Sequence, residues 1–259
     1  MLGVFDSGFG GLTVLREINR HLPSVSTIYL GDNARAPYGT RDAEEIFAFT
    51  LEGVRELFSR GCPLVILACN TASAVALRRI QQEVLPSEFP DRRVLGVIRP
   101  TVEAIASMER VGVFATPATV ASGAYPRELD RPVSQVPCPG LVELIESGKD
   151  GSAEADRLVE SFCRNMLTLE SELQAALLGC THYPLVEPLF QKHLPGVRIV
   201  TQGGIVAEKL ADYLERHPDI AAGIKTDGGR TFLTTARMSR SDLASRFYGQ
   251  PVEFVTLTA

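Results

Sequence analysis

No apolar run in these 259 residues approaches the ~20 residues that a membrane-spanning helix requires, the stretch 63–69 being among the longest. The N-terminus lacks a basic segment leading into a signal-type apolar region and enters LGVF at once. The mature chain is therefore expected to stay where it is made, in the cytoplasm, with no membrane partner. An excess of positive charge is missing too: 26 Lys and Arg face 31 Asp and Glu, a net charge of −5, and the basic residues are scattered. That balance argues against a phosphate-tracking surface, so no nucleic-acid partner is expected. Cysteine is sparse and odd in number, at 62, 69, 138, 163 and 180. An odd set in a long chain argues against a disulfide framework, so each thiol is either packed or chemically used. At 45% hydrophobic and 22% charged residues, the chain can bury a core for one large domain or two ordinary ones.

Short apolar runs at 2–5, 27–30, 64–68, 94–98, 111–115, 133–136, 174–178 and 197–201 read as strands. Between them, 12–21, 42–60, 72–84, 152–172 and 205–216 have the spacing of amphipathic helices. Strands alternating with helices predict an α/β class with mainly parallel sheets. GVFDSG at Gly3 returns as GVFATP at Gly112, and ACNT around Cys69 as GCTH around Cys180, each pair about 110 residues apart. Two related, pseudo-symmetric α/β halves are expected, each with a loop after its first strand and a later loop carrying a cysteine.

Ligands of open α/β sheets bind at the carboxyl ends of the strands. Asp6, Ser7, Cys69, Asn70 and Thr71 are thus expected to line one mouth of a crevice, with Thr116, Cys180, Thr181 and His182 lining the other. A ligand between the halves would meet one thiol on each face. That arrangement suits removal of a proton from the α-carbon of an amino acid and its return on the opposite side, since a thiol can be tuned toward acid or base. Asp6 could assist Cys69, and His182, two residues on, could assist Cys180. Asn70, Thr71, Thr116 and Thr181 offer amide and hydroxyl groups to a carboxylate.

At these residues the sequence resembles the cofactor-independent glutamate racemases. DSGFGG from Asp6, GDNARAPYG from Gly31, ACNTAS from Ala68 and LGCTHYPL from Leu178 follow that family's wording, and residues 232–249 resemble its closing segment. The resemblance implies two discontinuous α/β domains, 1–93 with 206–259 and 94–205, closing over glutamate in the crevice between them. It implies that Cys69 exchanges the proton with D-glutamate and Cys180 with L-glutamate, assisted by Asp6 on one side and by His182 and an acid on the other. For that acid CPGLVELIES offers Glu143 and Glu146, the IES ending favouring Glu146. Ser7, the Pro37-Tyr38-Gly39 turn, Asn70, Thr71, Thr116 and Thr181 are its substrate-binding positions. No pyridoxal phosphate or metal is implied. A homodimer is the oligomer the family suggests, and D-glutamate for peptidoglycan is the product. The chain departs from the family's wording at Thr201, where an Asp is common, and at Arg99, where a Glu is common.

Plainer readings stand beside these. A cysteine at a strand end is ordinarily a small packed hydrophobe, and only the pairing of Cys69 with Cys180 lifts them above Cys62, Cys138 and Cys163. Asp6 alone would be a helix cap, PYG a turn, Glu146 a solvated helix residue, and His21, His193 and His217 ordinary residues of helix C-termini. Rival functions are dinucleotide binding through Gly8, Gly10 and Asp32, although Thr13 occupies the third glycine position; zinc hydrolysis using Cys69, Cys180 and His182; an inactive amino-acid-binding protein; and an aspartate or other amino-acid racemase sharing the two-cysteine plan.

Overall fold

The computed structural model describes residues 1–237 and 240–257. Two of the residues in the resembling closing segment, 238 and 239, and the terminal 258 and 259 lie outside that description. Ten strands are present among the described residues: β1 (Leu2–Asp6), β2 (Thr27–Gly31), β3 (Leu64–Leu67), β4 (Arg93–Gly96), β5 (Val111–Ala115), β6 (Ser134–Pro137), β7 (Ala175–Gly179), β8 (Arg198–Val200), β9 (Arg230–Thr234) and β10 (Val255–Thr256). They form a six-stranded sheet, β10-β9-β2-β1-β3-β4, and a four-stranded sheet, β6-β5-β7-β8. Every pairing is parallel.

The order β2-β1-β3-β4 repeats as β6-β5-β7-β8, so the faint sequence echo marks a real duplication: β1 corresponds to β5, and β3 to β7. The first half then gains β9 and β10 at one edge. Central strands β1, β5 and β7 are buried along their whole length, because helices cover both faces of a parallel sheet and water reaches neither. Strands β4, β6 and β8 stand at sheet edges and are partly exposed.

The sequence spacing locates the long helices well. Leu12–His21 forms as expected and buries Leu12, Leu15 and Ile18; its face packs on the helix Gly203–Arg216. Ala43–Ser59 starts after Asp42, whose carboxylate accepts from the backbone N–H of Glu44 and Glu45, each at 2.9 Å. Ala153–Leu169 starts after Ser152, capped likewise onto Ala155.

Three expectations need correction. The single helix expected over 72–84 is Asn70–Val75, then Leu77–Arg79, then a wider π-helical turn at Ile80–Val84. It starts early because Cys69 itself caps it. The strand expected over 94–98 stops at Gly96, and Ile98 already opens the helix Ile98–Ile105; an apolar run cannot by itself say where a strand hands over to a helix. β9 and β10 went unread because RTFLT and VT are short, partly polar without a clean alternation, and without an echo in the other half.

Candidate active site

The first wall forms at the ends of β1 and β3. Asp6 closes β1 and is fully buried. One carboxylate oxygen accepts from the Gly8 N–H at 2.9 Å, the other from Thr181 Oγ1 at 3.3 Å. Burial raises the Asp6 carboxyl above its ordinary value, opposed by the charge of His182 and by the backbone N–H groups of Gly8 and Gly11. Cys69 sits at the N-cap of Asn70–Val75; its sulfur accepts from the Ala72 N–H and its thiol meets Ser7 Oγ, both at 3.4 Å. Burial, then the nearby Asp6 charge, pushes the Cys69 thiol up to about 12.

The second wall follows β7. Cys180 Sγ lies 3.9 Å from His182 Nδ1, and His182 Nε2 lies 2.8 Å from Glu146 Oε1, at the end of the helix Leu141–Glu146. These three residues form a chain from sulfur through imidazole to carboxylate. Burial works against a charge on His182, but the hydrogen bonds and charges of Cys180 and Glu146 outweigh it and hold the imidazole at about 10. Burial likewise opposes ionisation of Glu146, yet His182 and the charge of Arg240 keep its carboxyl below the ordinary value. Arg240 also donates to the Glu146 carbonyl at 2.7 Å. Glu143, the other acid of the CPGLVELIES stretch, is exposed and does not line the crevice.

Threonines join the walls. Thr71 Oγ1 is 2.9 Å from Thr116 Oγ1 and 3.3 Å from Thr119 Oγ1, all three buried. The turn Pro37-Tyr38-Gly39 lies over the crevice after a cis Ala36–Pro37 bond. Tyr38 lines the crevice, and its hydroxyl donates to Asp32 at 2.5 Å. Asp32 also accepts from Arg35 at 2.7 Å and Thr235 at 2.8 Å, so the acid considered for a ribose instead anchors this loop. Asn70 is partly engaged by neighbours: one N–H of its amide donates to Gln202 at 2.6 Å and its carbonyl accepts from Tyr125 at 2.8 Å, leaving its second N–H available.

Together these groups line one narrow, nearly closed crevice, its free volume only ≈ 20 Å³. Of the candidates named from the sequence for the racemase site, all but Asp6 and Glu143 line it: Ser7, Pro37, Tyr38, Gly39, Cys69, Asn70, Thr71, Thr116, Glu146, Cys180, Thr181 and His182. Asp6 stands just behind, on Thr181. The glycines of DSGFGG and PYG are needed for this approach. A Cβ on Gly10 would come within 2.3 Å of Thr181 Oγ1 and 2.5 Å of His182 Nδ1, and one on Gly39 within 2.8 Å of Thr116 Cβ. Other side chains thus occupy the space around Gly8 and Gly10 that a pyrophosphate would need. Among the described residues, no three His, Cys, Asp or Glu side chains stand in an arrangement able to hold a metal. Cys62, Cys138 and Cys163 are packed in the core. His21, His193 and His217 end helices, where they bond Glu17, Asp156 and Tyr213. Sequence reasoning missed Gln202, Tyr125, Thr101 and Thr119, whose only signal was a polar residue beside a glycine or inside a helix.

Residues 2–210 match the Asp/Glu/Hydantoin racemase family. The chain belongs to that family. It is 46% identical to the glutamate racemase of Paracoccus denitrificans (strain Pd 1222), over 98% of either chain. Its fold is similar to that of glutamate racemase isoform RacE1 from Bacillus anthracis, with a TM-score of 0.88 and 32% identity, covering 100% of this chain and 97% of that one. It is also similar to glutamate racemase from Francisella tularensis subsp. tularensis SCHU S4 in complex with D-glutamate, with a TM-score of 0.87 and 28% identity over 99% and 97% of the two chains. The paired sheets and facing cysteines of this racemase family member thus belong to a protein matched along nearly its whole length.

Proposed function

We infer that the protein is a glutamate racemase that interconverts L- and D-glutamate without a cofactor, the D enantiomer serving peptidoglycan synthesis. The observation that carries the mechanism is the placement of Cys69 and Cys180, from strand ends of the two different sheets, in the lining of one narrow crevice. Relatives matched over nearly the whole chain carry the choice of glutamate over aspartate.

Glutamate lies with its α-carbon between the two sulfurs, its carboxylates held by the amide and hydroxyl groups of Asn70, Thr71, Thr116 and Thr181. In the L-to-D direction the Cys180 sulfur, as thiolate, takes the α-proton. The electrons of the broken C–H bond pass toward the substrate carboxylate. The Cys69 thiol then gives its proton to the other face, leaving Cys69 as thiolate and Cys180 as thiol. The D-to-L reaction runs these steps backward and restores the starting pair. The environments match the roles. A cationic imidazole beside Cys180 stabilises negative charge on that sulfur, whereas burial and Asp6 keep Cys69 protonated. Glu146 orients His182 and favours its charged form, and Asp6, held behind Thr181, acts on Cys69 through its charge. Exclusion of water from so small a cavity strengthens each polar contact at the developing carbanion.

The working units are the two halves built on the two sheets, close to the divisions 1–93 with 206–259 and 94–205 except that β4 (Arg93–Gly96) pairs with β3 and so goes with the first, and they move as bodies to admit substrate. This is supported by two separate sheets, each of which sends residues from its strand ends into the crevice. The protein works in the cytoplasm as a homodimer; among the described residues no helix is long and apolar enough to cross a membrane.

Proton NMR of D- and L-glutamate with the protein in D2O tests the reading. Wild type should wash out the α-proton and invert either enantiomer, while Cys69→Ser and Cys180→Ser should each stop inversion. Inversion of aspartate alone would overturn the substrate, and exchange surviving both substitutions would overturn the two thiols. Light scattering at assay concentration tests the dimer.

A further inference from the structure

The loop after β8 supplies a residue that the mechanism leaves unused. Gln202 is 4% exposed, and its Oε1 accepts from Asn70 Nδ2 at 2.6 Å. Its own amide donates to Thr101 Oγ1 at 3.0 Å and to the Tyr125 hydroxyl at 3.2 Å. Tyr125 then donates back to Asn70 Oδ1 at 2.8 Å. Thr101 is in turn tied to the Val97 carbonyl at 2.6 Å. The circuit Asn70–Gln202–Tyr125 is closed and buried, and both ends of the Asn70 amide are fixed by it.

Asn70 is the first residue of the helix that Cys69 caps, and it follows the β3 strand of the six-stranded sheet. Gln202 and Tyr125 follow β8 and β5, strands of the other sheet. The circuit therefore holds the Cys69 end of one half by groups of the other half. Beside Cys180, Thr181 is held across the halves in a simpler way, its hydroxyl donating to Asp6 at 3.3 Å and its carbonyl accepting from Thr13 Oγ1 at 3.1 Å.

We propose that Gln202, with Tyr125, is a positioning residue for Cys69: by gripping the Asn70 amide it sets the helix start, and hence the sulfur, at the angle required for proton transfer on that face of the substrate. Proton transfer tolerates little displacement, a misplacement of about 1 Å costing on the order of 100-fold in rate. The proposal rests on the racemase reading, specifically on Cys69 serving D-glutamate.

That assignment gives a signature that loss of folded protein cannot mimic. If the Cys69 step slows, deuterium removal from D-[2-2H]glutamate becomes rate-limiting, so its isotope effect on kcat/KM rises. From L-[2-2H]glutamate the deuterium leaves to Cys180 first and the intermediate now returns more often, so that isotope effect falls. Gln202→Met keeps the volume and removes the hydrogen bonds; Tyr125→Phe removes only the hydroxyl. Both are expected to lower kcat roughly 10- to 100-fold with little change in KM, and to move the two isotope effects in opposite directions. Gln202→Glu, which keeps an acceptor for Asn70, should lie between Gln202→Met and wild type. Isotope effects at wild-type values, or shifted together, would overturn the proposal. Any residual turnover of Cys69→Ser should give the same asymmetry more strongly. The reversed asymmetry there would instead overturn the assignment of Cys69 to the D face.

Discussion

His182 Nε2 stands 2.8 Å from Glu146 Oε1, while its Nδ1 faces Cys180 Sγ at 3.9 Å. One buried imidazole thus links a carboxylate to a thiol. With both ring nitrogens engaged and the ring edge packed against Phe247, the imidazole has one orientation, and its charge depends on the two groups it joins.

Glu146→Gln should separate that charge from the geometry. The His182 value is raised from 6.5 to about 10, so its contribution to stability is complete below 6.5 and is lost as pH rises toward 10. The Glu146 value is lowered from 4.5, so its contribution is present above 4.5 and is lost as pH falls through the lowered value. The stability advantage of wild type over Glu146→Gln, from urea midpoints, should be greatest between these limits and shrink on either side. The kcat of the variant should fall by about 10²-fold.

Asp6 carries the opposite sign. Its folded value is raised from 3.8 by burial, so ionisation costs stability, absent at pH below 3.8 and fully present above the raised value. The melting temperature of Asp6→Asn relative to wild type should therefore improve between pH 3.5 and pH 7, as thermal melts will show, although inversion of glutamate is expected to be lost. A residue that destabilises the fold at working pH is one retained for chemistry.

Gly10→Ala places a methyl group where Thr181 and His182 already stand, at 2.3 Å and 2.5 Å. Since either the backbone or the His182 imidazole must shift, kcat/KM should fall by about 10²-fold or more, with a stability loss of about 1–3 kcal/mol. Gly204→Ala is the control: nothing lies within 4 Å of the added Cβ, in the first turn of the helix Gly203–Arg216. It should be neutral or more stable by up to about 1 kcal/mol, with unchanged turnover.

Asp32→Asn leaves Arg35 and the Tyr38 hydroxyl without their buried carboxylate. We expect a loss of about 1–3 kcal/mol and a rise in KM greater than the fall in kcat, because the loop carrying Pro37 and Gly39 loosens over the crevice. Steady-state kinetics in both directions will check the split.

The alternation of apolar strands with amphipathic helices is local, written in side-chain periodicity, and it determined the α/β class, the two halves and eight of the strands. Residue type at strand ends determined the candidates too: Cys69 and Cys180 were legible because the same strand-then-thiol pattern occurs twice, and Asp6 and His182 because they adjoin the same strand ends. Only the tertiary structure decided what those residues touch. It chose Glu146 over Glu143 by aiming one side of a short helix at His182, gave Asp32 to the loop, and committed Asn70 to Gln202. These contacts join residues 36, 203 and 132 positions apart in the cases of Glu146 with His182, Asp32 with Thr235, and Asn70 with Gln202. Hydrogen bonds form between groups brought within about 3 Å, and no periodicity along the chain records which distant groups the packing of two sheets will bring that close.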